Sequence, residues 1–153
     1  MAAMATMPLG RLLGIAGRLI SGRFEKILDD RGVSHTGWVV LLKLEETDDL
    51  TQGDVAERCF VRPATLTSVV DALEAAGWLT RTRDAADRRV VRLRLTDSGR
   101  THVAATRQVM QQRMAPVFAD MSAQDEAVVR RFLTAVITQL SHPDAKGPHD
   151  SER

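Results

Sequence analysis

The sequence predicts a mainly α fold with a small β part (α+β): a winged helix-turn-helix lobe joined to a helical lobe drawn from both chain ends. Three observations predict it. Apolar residues recur at three- and four-residue spacing through both ends of the chain. The middle, from Thr51 to Gly99, reads as two short helices separated by the turn Phe60-Val61-Arg62. Two loosely alternating segments follow, with an arginine-crowded loop between them.

The first seven residues are expected to fray. From Pro8, a good first helical residue, Leu9, Leu12, Leu13, Ala16, Leu19, Ile20, Phe24, Ile27 and Leu28 share one face. Asp30-Arg31-Gly32 ends this run, with Gly32 as a left-handed stop. A helix longer than about twenty residues exceeds the globular mean, which points to packing on a second chain. Ser34 caps a second helix carrying Trp38, Val39, Leu41, Leu42 and Leu44. Glu45 to Asp49 reads as a solvated helix end and turn.

Thr51 and Asp54 have capping-box spacing and open a short helix to about Cys59. Pro63 starts the next helix, in which Leu66, Val69, Val70 and Leu73 face inward. Ala64, Thr67, Ser68, Asp71 and Ala75 lie on its opposite face, and Gly77 closes it. Trp78 to Arg83 and Val91 to Leu95 are the strands of a hairpin, and Asp84 to Arg89 is its loop. Thr96 caps a long helix from about Arg100 toward Met121, with a kink or break expected near Ala115 because of Pro116. Ser122 with Asp125 starts the last helix, striped by Val128, Val129, Phe132, Leu133, Val136, Ile137 and Leu140. Pro143 ends it, and residues 142–153 read as a disordered tail.

Composition narrows the classes. At 44% hydrophobic and 27% charged the chain is ordinary for a globular protein, and its 153 residues suit one domain plus an assembly subdomain. The net charge of +1 is uninformative, but Arg81 to Arg94 holds six arginines against two aspartates. No apolar run is long enough to span a bilayer, and the first residues lack a signal-peptide pattern. With Cys59 as the single cysteine, no internal disulfide forms, which fits a cytoplasmic protein.

A surface that reads duplex DNA needs a helix with small or polar residues outward, because base edges are read by hydrogen bonds and methyl contacts. The helix after Pro63 has that character, with Ala64, Thr65, Thr67 and Ser68 outward and Asp71 at the rim. It also needs cations near phosphates. Arg88 and Arg89 sit at the hairpin tip, with Arg81, Arg83, Arg92 and Arg94 along the stem. Asp87 is expected to brace Arg89 by a charge-assisted hydrogen bond. Taken singly, a basic hairpin is often a solvated edge and a two-helix turn is common. Their combination, in this order, is far more specific.

These segments resemble the MarR (multiple antibiotic resistance regulator) family of bacterial transcription factors. The resemblance rests on R62-P63-A64-T65-L66-T67-S68-V69-V70-D71-A72-L73-E74-A75-A76-G77-W78-L79 and on the wing from Asp84 to Gly99. Its most specific part is the D-x-R of Asp87 and Arg89 followed by the L-T-x-x-G of Leu95, Thr96 and Gly99. It covers about residues 9 to 141.

The resemblance implies a homodimer on double-stranded DNA. Residues 8–32 and 100–141 would supply the dimerisation helices, and 33–99 the DNA-binding domain. It places Arg62, Pro63, Ala64, Thr65, Thr67 and Ser68 at the recognition helix. Arg81, Arg83, Asp87, Arg88 and Arg89 fall to the wing, with Arg89 as the minor-groove arginine. It further implies a repressor of a pseudo-palindromic operator, released by a small phenolic or aromatic ligand bound between the dimer helices and the DNA-binding lobe.

The sensor is less legible. His35 and Trp38 lie where family ligands tend to bind, but Trp38 also reads as core and His35 as surface. The first helix lacks the reactive cysteine of the family's peroxide sensors, and Cys59, on the apolar side of a short helix, reads as packing rather than a redox sensor. His35, His102, His142 and His149 are too scattered for a metal site, and no cofactor motif is present. Met110 and Met114 read as dimer packing. An enzyme is disfavoured, since no nucleophile, base and acid converge. The competing reading is a winged-helix module that binds protein without sequence-specific DNA binding.

Overall fold

A computed structural model describes residues 2–84 and 87–141. Ala85, Ala86, His142, His149 and the tail expected over 142–153 lie outside the described residues. The chain divides into two compact units, Met1–Arg113 and Met114–Arg153.

The elements run in the order α1 (Ala2–Ala5), α2 (Leu9–Asp30), α3 (His35–Glu46), β1 (Leu50–Thr51), α4 (Gln52–Arg58), α5 (Pro63–Ala75), β2 (Leu79–Arg83), β3 (Val91–Leu95), α6 (Asp97–Phe118) and α7 (Ala123–Ser141). The protein is thus mostly helical with a small antiparallel sheet. Strand order is β1-β3-β2, with Leu50 opposite Leu93 and Leu79 opposite Leu95.

Local chemistry sets the boundaries. The Ser34 hydroxyl accepts the Gly37 N–H at 3.1 Å to start α3. Thr51 and Asp54 form a reciprocal capping box, each side chain accepting the other's backbone N–H. Such a cap is worth about 1 kcal/mol. Thr96 accepts the Gly99 N–H at 2.9 Å and donates to the Gly77 carbonyl at 2.7 Å, so one hydroxyl starts α6 and ties it to the end of α5. Ser122 accepts the Asp125 N–H at 3.1 Å to open α7. Gly32 and Gly77 both take left-handed φ, 70° and 74°, where the chain leaves α2 and α5.

The core of the first unit lies between helices and sheet. Leu28, Val40, Leu41, Leu44, Val55, Leu66, Val70, Leu79, Leu93 and Val103 are almost wholly buried. At roughly 1.5–3 kcal/mol per buried aliphatic side chain, this cluster is the main force fixing α5 against the sheet.

Several expectations need correction. The first seven residues include a helical turn, α1, rather than only frayed chain. The two-residue β1 has no counterpart among the expected elements; it exists by pairing with β3. Glu45, Asp48 and Asp49 are partnered rather than merely solvated: Glu45 pairs with Arg107, Asp48 with Arg100 at 2.6 Å, and Asp49 with Arg94 at 2.8 Å. The β2 strand starts at Leu79, one residue after Trp78. Helix α6 begins at Asp97 and continues through Pro116 to Phe118, so of the kink or break expected near Ala115 the break is absent. Proline lacks the N–H for the preceding turn, but here it falls close to the helix end, where few later bonds depend on it. Met110, expected at a dimer surface, packs on the core of its own chain.

Candidate nucleic-acid interface

Helix α5 enters with Arg62 as N-cap and Pro63 in its first turn. Leu66, Val70 and Leu73 point into the core, which leaves Arg62, Pro63, Ala64, Thr65, Thr67 and Ser68 exposed together. The face is therefore set by the helical period, not by chance exposure. The hydroxyls are not equivalent. Thr67 donates to the Pro63 carbonyl at 3.0 Å and accepts the Gln52 side-chain amide at 3.2 Å, which links the two helices of the motif. Ser68 donates back to the Thr65 carbonyl at 3.0 Å. Both hydroxyls keep acceptor capacity, since each oxygen carries two lone pairs.

The described residues of the wing, Asp84 and 87–90, are bonded to one another. Asp84 and Val90 are joined by the Asp84 N–H to the Val90 carbonyl at 3.0 Å. The Val90 N–H reaches the Asp87 carbonyl at 2.9 Å. The Asp87 N–H donates to the Asp84 carboxylate at 3.2 Å. Asp87 does brace Arg89, but at the main chain: its carboxylate accepts the Arg89 backbone N–H at 2.9 Å. The expected bond to the guanidinium is replaced by one that fixes the loop and leaves the Arg89 side chain exposed.

The six arginines of the hairpin fall into two sets. Arg92 is bound to Asp84 and to the Asp49 carbonyl, and Arg94 to Asp49. Arg81 lies 2.6 Å from Asp71, 2.7 Å from Glu74 and 3.4 Å from the Thr67 carbonyl. These three therefore hold the hairpin to α5 and to the turn before β1. The Arg94 guanidinium also holds the Asp49 carboxyl below its usual range. Arg83, Arg88 and Arg89 are exposed, and among the described residues none has an ion-pair partner. Asp71, expected at the rim of the groove face, is taken up by Arg81.

The remaining candidates separate cleanly. Trp38 sits in the core, and His35 is exposed at the start of α3. Cys59 is half-buried, and burial pushes its thiol pKa up, which disfavours the reactive thiolate. Among the described residues no group of three His, Cys, Asp or Glu could hold a metal ion. Nor is any helix there long and apolar enough to cross a membrane. Gln52, Asp49 and Glu74 carry no mark in the sequence. Their partners lie far along the chain or across elements, so no local spacing singles them out.

The MarR family model matches residues 33–91, the stretch from α3 to the start of β3. The transcriptional repressor MdtR of Bacillus subtilis is 30% identical over 122 residues, covering 78% of this chain and 76% of that one. The chain belongs to the MarR family. The family is one of winged-helix transcriptional regulators. The regulator SarZ of Staphylococcus epidermidis is 29% identical over 89 residues, 58% of this chain, and the match spans 60% of SarZ's own length. The transcriptional repressor CouR, solved on a 23-mer DNA duplex, superposes with a TM-score of 0.73 at 25% identity, over 86% of this chain and 93% of that one.

Proposed function

We propose that this MarR-family chain is a homodimeric, sequence-specific DNA-binding regulator, acting in the cytoplasm as a repressor at a pseudo-palindromic operator. One observation carries the reading. Of the six arginines between Arg81 and Arg94, three, Arg83, Arg88 and Arg89, are exposed and have no ion-pair partner among the described residues, while Arg81, Arg92 and Arg94 are committed to carboxylates. Beside them in the chain, α5 offers an exposed face of small and polar groups. Uncommitted guanidinium groups are what phosphates and minor-groove acceptors require. That MdtR and CouR are named repressors, and that CouR was solved on DNA, supports the same reading.

Dimerisation is proposed through residues 8–32 and 100–141, with 33–99 as the DNA-binding domain. In the second unit Val128, Val129, Phe132, Ile137 and Leu140 are exposed on α7, and Val129, Leu133 and Ile137 border, with Phe118 and Met121, a groove of about 510 Å³. A row of large apolar side chains on one helix is what a second copy would cover. In α2, Leu9 and Leu19 are exposed in the same way. Release of the DNA by a small aromatic ligand, with His35 as a surface contact, is the mode of control that family membership supports.

The test is a gel-shift titration with genomic fragments, including the chain's own promoter. Sequence-selective binding that weakens with salt and is lost in Arg88→Ala/Arg89→Ala, with dimerisation intact, supports the proposal. Equal binding to all fragments, or none, contradicts it.

A further inference from the structure

We propose that Phe60 is a DNA-contacting residue, making an apolar contact at the edge of the groove into which α5 docks. The inference rests on the DNA-binding reading above. Phe60 lies in the turn between α4 and α5 and is 95% exposed, the highest exposure among the large apolar residues of the described chain. Its neighbours behave differently: Cys59 and Val61 pack against the core. Its φ is +54°, in the left-handed region. A bulky residue is strained there, and glycine or asparagine is the usual occupant. The fold therefore gains neither packing nor backbone ease from phenylalanine at this position. Local strain kept without a structural return is characteristic of binding sites.

The location fits a contact with the duplex. Phe60 precedes the N-cap Arg62 by two residues, and Arg62, Pro63, Ala64 and Thr65 form the exposed start of α5. A helix of this kind reads bases with its N-terminal residues, so the turn leading into it travels along the groove edge. Two apolar groups are available there, the thymine methyl and the carbons of deoxyribose. A phenyl ring can pack on either.

The probe is the duplex that the parent protein enriches from a random pool of about 30 base pairs, long enough for two half-sites one turn apart. Parent, Phe60→Gly and Phe60→Asn are compared by fluorescence anisotropy, with Arg89→Ala as control. Both Phe60 variants are expected to melt no lower than the parent, because they suit the left-handed backbone. They are expected to bind about tenfold more weakly, since each dimer gives up the packing of both its phenyl rings on the duplex. A duplex with deoxyuridine for thymidine then locates the contact. Weaker binding by the parent alone assigns the methyl, and unchanged binding assigns the sugar. Variants that bind like the parent overturn the proposal. A parent that enriches no duplex refutes the DNA-binding reading itself, and is told apart by that failure.

Discussion

The Arg81 guanidinium lies 2.6 Å from the Asp71 carboxylate, joining strand β2 to the outer side of helix α5. The same guanidinium reaches Glu74 at 2.7 Å and the Thr67 carbonyl at 3.4 Å, and the Arg81 backbone N–H donates to Glu74 at 3.2 Å. One side chain thus grips two turns of the proposed recognition helix. Its consequence is angular: the wing cannot swing relative to α5 without breaking these bonds. In the proposed complex Arg81 would serve DNA binding through geometry, and Arg88 and Arg89 through direct contact.

That division predicts different salt behaviour. Replacing a phosphate contact lowers the slope of log affinity against log salt by about one per contact. Arg89→Ala should lower it. Arg81→Lys loses the planar fork and weakens binding several-fold, but leaves the slope near the parent's. Anisotropy titrations at several salt concentrations read both numbers.

Asp87 gives a second prediction. Its carboxylate accepts the Arg89 backbone N–H, so an uncharged acceptor of the same shape should serve. Asp87→Asn is expected to keep most of the DNA affinity, and Asp87→Ala to lose it by about tenfold, the worth of about one hydrogen bond per protomer. Were the carboxylate needed to neutralise the guanidinium, Asn and Ala would fail alike.

Gly99 closes the L-T-x-x-G pattern for a packing reason. A Cβ there would sit 2.0 Å from the Trp78 carbonyl oxygen and 2.9 Å from a Leu95 methyl. Backbone cannot yield as a flexible side-chain tip can. Gly99→Ala should therefore destabilise by more than about 2 kcal/mol, in the range of overpacked cores. Urea melts of the two proteins check it.

His102 stacks on Trp78, with ring centroids 3.7 Å apart, and its Nε2 is 3.4 Å from the buried Thr106 hydroxyl. Burial, with the nearby positive Arg31, lowers its pKa from the ordinary 6.5. The unfolded chain then binds more protons than the folded one just below that value, so stability falls as the solution is acidified. The contribution is complete above about pH 6.5 and is lost as pH drops toward the folded pKa. The difference in melting temperature between pH 7.5 and 5.5 should be smaller in His102→Gln than in the parent, by an amount of order one to a few degrees.

Much of the fold is legible from local sequence, and the reasons are local. Ser34, Thr51 with Asp54, Thr96 and Ser122 cap their helices within three residues, so spacing alone locates them. The apolar period of α5 likewise sorts Leu66, Val70 and Leu73 inward and the polar residues outward. What escapes a local reading depends on distant partners. Asp48 and Asp49 look like a solvated turn until Arg100 and Arg94, 52 and 45 residues on, are brought beside them. Strand β1 is two residues long and has no pattern of its own; β3 supplies its partner. The six arginines of the hairpin look equivalent in sequence, and only the fold shows that three are already engaged. The strain at Phe60 is invisible to any count of residue types.

The most direct test of the proposal is native mass spectrometry of the protein with its enriched duplex and with a scrambled one. Two chains on one enriched duplex, with the selected site showing two half-sites one helical turn apart, about 10 base pairs, is the predicted result. A single chain per duplex, or equal occupancy of the scrambled DNA, would contradict it.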